Sequence, residues 1–380
     1  MKRNMKTEFV SSMDRICFTP QQKAEIAKGL MAQLEETNMK KQTFSSRRLV
    51  LIAAAAALLI LTLTGAAAFT RWSKNAQTRY NPSEDVKHQA ETSGLSVMLQ
   101  NVEEENAVLQ ATDQGVTITA VQTIVDNYRA EITFRIDGFE LPEGSTPGIW
   151  PSITIDGRDD FYAMQTGQFY HGTTWNEAGE WVYVSTGEPV QYSDDEFQSA
   201  IMDYVADDGS LEYTHYITFD EADGRWLGKE ISVVFNSINV QSDQKAGKDV
   251  PQVEGNWELK WTLTGTDDSI TVTPNAEIGN SGVVLLEAEI GQKTVRARYQ
   301  LKEYWEGWDA LVEMPQEVRG VRMKDGSEHH CGGGTGGFED QEKRIYFTQY
   351  DIYDGILDVS QVESLICRDE NGETVYIPIA

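Results

Sequence analysis

The sequence predicts a mainly-β protein carried on one membrane-crossing helix, and three observations predict it. Residues 49–69 form an uncharged apolar run, alternating apolar and polar residues recur after it, and a basic leader with helical periodicity precedes it. The expected fold class is a short α-helical cytosolic tail, one transmembrane helix, and a mainly-β ectodomain of two antiparallel immunoglobulin-like β-sandwich domains. The boundaries follow the changes in pattern: 1–48 tail, 49–69 span, 70–93 stalk, 94–243 first β domain and 253–380 second β domain.

The leader is read first. Residues 1–48 hold ten Lys or Arg against five Asp or Glu, the reverse of a chain whose net charge is −28. Thr19, Pro20 and Gln22 make a helix start: a capping hydroxyl, a proline suited to the first turn, and a glutamine three residues after the cap. Ala27, Leu30, Met31 and Leu34 then fall on one helical face, and Phe9, Met13, Ile16 and Cys17 make a shorter stripe upstream. Helices this short gain stability mainly by burying an apolar face, so Phe9, Ile16, Ala27, Leu30, Met31 and Leu34 are the expected partner-binding residues. A sequence of this kind has three ways to cover them: a partner, the membrane surface or each other.

As a helix rising about 1.5 Å per residue, the run from Leu49 to Phe69 covers roughly 30 Å, one bilayer core. A secretory signal has a shorter apolar core close to the chain start, so the run is expected to stay in place, although Ala66–Ala68 resembles a cleavage site. Arg47 and Arg48 before it, with the basic leader, place the N-terminus inside and the C-terminal domain outside. The expected localisation is the cell membrane, single-pass, with the lipid bilayer as a partner.

Beyond residue 69 the chain has twenty-two basic against fifty-five acidic residues. Such a surface repels phosphate backbones, which excludes nucleic acid as the ligand of this part. Residues 71–93 are polar and read as a stalk. Val116, Ile118 and Ala120 alternate with threonines, Asp126-Asn127 offers a turn, and Ala130, Ile132, Phe134 and Ile136 alternate again, which spells a hairpin. Leu211 to Phe219 and Ile231 to Phe235 continue the pattern, with a helix expected after Ser193. The polar stretch 241–252 is the expected linker, after which Trp257, Leu259, Trp261 and Leu263 open a second domain that ends in hairpins at Asp325-Gly326 and Asn371-Gly372.

In this order of features the chain resembles the single-pass bacterial membrane proteins of the domain of unknown function 4179 family, which are anti-sigma-factor-like. The resemblance is carried by FTPQQKAEIAKGL, the apolar span, GNWELKW, the KDG hairpin and ILDVSQVESLICRDENGETVYIPI. It implies a cytosolic tail that sequesters an extracytoplasmic-function sigma factor and an outer β region that senses an envelope signal. It brings no catalytic residues. Zinc-type anti-sigma domains use a His and two Cys, whereas residues 1–48 contain no His and only Cys17. The alternative is an anchored extracytoplasmic binding protein for a cell-wall, glycan or protein ligand, with no sigma-factor partner.

No pattern calls for an enzyme, a metal or a cofactor. Gly332, Gly334 and Gly337 spell G-x-G-x-x-G, but Phe-Glu-Asp follows where a phosphate-binding helix would begin, so a flexible loop is expected. His329 and His330 are adjacent, which on a strand sends them to opposite faces and away from one shared ion. Acidic pairs such as Asp207-Asp208 sit beside Gly or Ser and read as turns. Trp175, Trp181, Trp305 and Trp308 are the candidates for stacking on sugar rings, with core packing as the competing use of an indole. Cys331 and Cys367 share the expected second domain and form the candidate disulfide.

Overall fold

The computed structural model describes residues 72–142, 144–176, 178–192, 200–219, 226–241, 252–302 and 316–379. All belong to one compact unit, Trp72–Ala380. The expected tail with its expected partner-binding residues (Phe9, Ile16, Ala27, Leu30, Met31 and Leu34), the run 49–69, and Trp305 and Trp308 lie outside the described residues.

In chain order the unit begins with two helices, α1 (Lys74–Tyr80) and α2 (Glu84–Thr92). The strands β1 (Ser96–Met98), β2 (Gln110–Asp113), β3 (Val116–Val125), β4 (Arg129–Asp137), β5 (Thr146–Ile155), β6 (Tyr162–Phe169), β7 (Thr173–Trp175), β8 (Trp181–Tyr183), β9 (Leu211–Phe219), β10 (Lys229–Gln241) and β11 (Gln252–Leu263) make the first half. The second half holds β12 (Ser269–Val272), β13 (Ala276–Glu277), β14 (Val284–Gly291), β15 (Thr294–Gln300), β16 (Val318–Met323), β17 (Glu328–Asp340), β18 (Ile345–Ile352), β19 (Val362–Arg368) and β20 (Thr374–Pro378).

The first half is a sandwich of unequal sheets. Six strands run β1-β3-β4-β9-β6, with β2 added on β3, and three run β11-β10-β5. Strand alternation sends Phe134, Tyr213 and Phe219 from one sheet, and Phe235, Trp257 and Trp261 from the other, into one shared core. The second half is a single antiparallel sheet, β12-β14-β15-β18-β17-β16-β19-β20 with β13 on β14, with a core of its own. Leu285, Ala297, Tyr299, Val321 and Leu365 fill it.

These facts correct the expected fold class. The unit is not a pair of immunoglobulin-like sandwiches, because the second half is one continuous sheet. The strand of Trp257 and Trp261 does not open that half either: it pairs with β10 from Lys229↔Leu263 to Asn239↔Gln252 and packs in the first core. The change of core therefore follows Leu263. Among the described residues no helix is long and apolar enough to cross a membrane. At about 1.5 Å per residue, helices of 7 and 9 residues fall far short of a bilayer core of about 30 Å. The transmembrane helix and the single-pass membrane localisation are not retained.

The expected stalk is instead α1 and α2. Ser73 and Ser83 cap them by accepting from the amides of Ala76 and Val86, and Asn81 in the left-handed region stops the first. Trp72, Ala76, Tyr80 and Ala90 pack with Leu95, with Ile124 of the first half and with Ile356 of the second. The expected loop at Gly332–Gly337 is strand β17, paired with β18. Its glycines admit close neighbours: a Cβ at Gly332 would lie 2.8 Å from the Tyr353 ring, and one at Gly334 2.1 Å from the Gln349 carbonyl oxygen. Ile201–Ala206, at the end of the helix expected after Ser193, is not helical.

The two halves meet through polar side chains. Asp126, in the β3–β4 turn, accepts from the amides of Tyr128 and Arg129 with one oxygen. With the other it accepts from the Lys293 amide at 3.1 Å and the Thr294 hydroxyl at 2.9 Å. Arg129 ion-pairs with Asp351 of β18 and with Glu131 beside it, and Tyr80 donates to Glu131. Lys293 is buried, gives Nζ–H to the carbonyls of Ile352 and Gly355, and sits 3.7 Å from the Tyr80 ring centroid. Burial lowers the Lys293 ammonium from its ordinary value and raises the Asp351 carboxyl, while burial at Glu131 is outweighed by Arg79, Lys293 and Arg129, which keep that carboxyl low.

Candidate functional site

The β7–β8 hairpin brings Trp175 and Trp181 directly opposite each other. Alternation along each short strand puts both indoles on one side, while Val182 turns inward and is buried. The rings are stacked, with centroids 6.1 Å apart and an interplanar angle of 18°, and Tyr192 closes on Trp181 edge-first at 6.4 Å. Trp175 is 69% exposed and Tyr192 55%.

The support beneath is hydrogen-bonded. In the turn, Asn176 Oδ1 accepts from the amides of Ala178 and Glu180, and its Nδ2 donates to the Glu180 carboxylate at 3.0 Å. Tyr183 donates to the Ile201 carbonyl at 2.9 Å and accepts from the Gln191 amide, which fixes the backbone next to Tyr192. The hairpin thus holds an exposed indole face, a second indole behind it and a carboxylate on the same turn. A flat apolar face beside a hydrogen-bond acceptor suits a ligand with one apolar face and hydroxyls at its edge.

Trp150 is 58% exposed on β5, with its ring edge against His215 at 5.1 Å. His215 is buried and bridges Tyr213 at 2.9 Å and Gln165 at 2.8 Å. Burial drops its pKa to about 4, so the ring is neutral. Tyr192 and this Tyr213–His215–Gln165 chain were not legible in the sequence. The six-residue step from Trp175 to Trp181 around Asn176 and Gly179 is the signal that betrays the aromatic hairpin.

Cys331 and Cys367 are free thiols. They lie on β17 and β19, on either side of β16. Two strand spacings, about 9.5 Å, exceed the Cα separation a disulfide spans, so the expected pair does not form. Burial pushes the Cys367 thiol up to about 12. Among the described residues no group of three His, Cys, Asp or Glu is placed to hold a metal ion. His329 instead faces Asp354 at 3.4 Å.

No protein-family model matches the chain, and no curated protein matches it. Among solved structures it is similar to the crystal structure of the conserved domain protein from Bacillus anthracis. That likeness has 14% identity and a TM-score of 0.36, over 74% of this chain and 88% of that one.

Proposed function

We propose that the chain is a binding protein whose β7–β8 hairpin takes carbohydrate rings. One observation carries this: Trp175 and Trp181 are stacked and held outward by a hydrogen-bonded turn rather than folded into the neighbouring core. An indole left so exposed forgoes the burial it would gain in that core, and exposed aromatic patches mark interaction sites. The sugar's C–H face lies on Trp175, and its hydroxyls reach Glu180. The test titrates full-length protein with chito-oligosaccharides and with β-1,4-glucose oligomers while following indole fluorescence. A saturable change that weakens at least tenfold in Trp175→Ala, with an unchanged melting temperature, supports the site. No response to either series, or equal responses from both proteins, removes it.

A second reading is supported by the sequence of residues 1–48, where Ala27, Leu30, Met31 and Leu34 share a capped helical face, and by the resemblance to anti-sigma-like proteins. There the tail sequesters a sigma factor. Leu30 and Leu34 are anchors worth roughly 1.5–3 kcal/mol each when fully buried, so changing both to Asp releases a micromolar partner. Capture of a sigma factor by the full chain and its loss in the double variant is the expected result. Capture of none ends this reading and leaves the first untouched.

A further inference from the structure

Every other long edge of the first half is protected against pairing with a foreign strand. Edge strand β5 contains Pro147 and Pro151, and β11 is covered on its outer side, where Lys260 exchanges backbone hydrogen bonds with Val108. Strand β6 has no such device. It ends its sheet, β17 comes near it without pairing, no described strand pairs with it away from β9, and its eight residues YAMQTGQF include no charge and no proline. A register shift between Tyr162 and Met164 distorts only its start. Tyr162, Ala163, Thr166 and Gln168 are exposed.

The register shows which backbone groups are free. The Tyr170 amide donates to the Glu212 carbonyl, which makes that a directly bonded pair, and bonded pairs alternate along an antiparallel ladder. Gln168 and Thr166 therefore turn their amides to β9, while Phe169, Gly167 and Gln165 turn theirs outward. Beside this row stands Trp150, 58% exposed and packed on His215, which is bonded to the Gln165 side chain.

We propose that the β6 edge receives an extended, positively charged segment of a partner protein as an added strand. The main-chain row at Gln165, Gly167 and Phe169 supplies the ladder, and Trp150 receives an apolar side chain of the incoming strand. The charge balance selects the occupant. A chain of net charge −28 opposes a second copy of itself and attracts a basic segment. The surface lies on a different element from the aromatic hairpin, so the two stand or fall separately.

The test selects a random octapeptide display library on immobilised full-length protein. The decisive pair is Gln165→Pro and Gln165→Ala. Both lose the bond to His215, but only proline also removes the outward amide, which an edge strand tolerates. Expected are alternating apolar peptides rich in Lys or Arg that bind wild type and Gln165→Ala, and bind Gln165→Pro at least tenfold more weakly. They should slow amide exchange at Gln165, Gly167 and Phe169 of wild type at least tenfold, a readout that stands even if the proline variant melts early. The proposal is overturned if no selected peptide slows those amides, or if a well-folded Gln165→Pro captures peptides as Gln165→Ala does. Sedimentation showing a wild-type dimer that Gln165→Pro disperses overturns it in favour of a second copy.

Discussion

The core between the two sheets of the first half and the joint between the halves both bury polar side chains, and they treat charge in opposite ways. In the core, His215 is neutral, its two ring nitrogens matched by Tyr213 and Gln165. In the joint, Arg129 and Glu131 are ionised, and each is at least nine-tenths buried. A lone ring surrounded by apolar walls meets no opposite charge, so giving up the proton costs least. In the joint, Arg79 of α1, Arg129 and Glu131 of β4, Lys293 of the β14–β15 turn and Asp351 of β18 converge, and the opposite charges hold Arg129 and Glu131 ionised despite their burial. The difference teaches that the halves are matched by charge placement, whereas each interior is matched by shape.

Three changes probe that contrast, in decreasing order of effect. Arg129→Met leaves Asp351 without its ion-pair partner and weakens the hold on Glu131. Uncompensated buried charge of this kind costs about 3–5 kcal/mol, readable as a shift of the urea midpoint. A loss below about 1 kcal/mol would mean that the joint does not depend on the pair.

His215 gives the next effect. Its folded value of about 4 lies below the ordinary 6.5, so the unfolded chain takes up the proton first as pH falls. Stability contributed by the neutral ring is complete above pH 6.5 and is lost on descending to about 4, by about 3 kcal/mol at 1.36 kcal/mol per unit. Denaturation curves across that window should be steeper with pH for wild type than for His215→Asn. Parallel curves would show that the core does not exclude the charged ring. Tyr80→Phe is the mildest: it keeps the ring over Lys293 and removes only the hydrogen bond to Glu131, a charge-assisted contact worth about 2 kcal/mol. Calorimetry showing no change in melting temperature would detach α1 from the joint.

Much of the fold was legible because apolar residues alternate with polar ones along the strands, even where, as in β3, β4 and β9, the polar face is buried as well. The hairpin at Asp126-Asn127 and the runs Leu211–Phe219 and Trp257–Leu263 declare themselves by period two. Which sheet a strand joins is not written in its period, and so Trp257 and Trp261 were assigned to the wrong half. The glycines of β17 misled for another reason: their value lies in the close approach of the Gln349 backbone on β18 and of the Tyr353 ring just beyond it, which only register reveals. The helices after Trp72 were hidden because α1 and α2 have too few apolar residues to show a period, and they are held by contacts more than a hundred residues distant, such as Asn75 to Glu212. Of the candidate site, the sequence supplied Trp175 and Trp181 but not Tyr192, whose place depends on Tyr183.

The pairing of β11 with β10 has a practical meaning for anyone dividing the molecule. A chain cut between these strands gives one piece lacking two core tryptophans and another carrying them as an unsupported apolar strand. Neither piece is a domain. Mixed, they are expected to complement each other along the ladder from Lys229↔Leu263 to Asn239↔Gln252, so the cut suits a two-fragment reporter better than domain dissection.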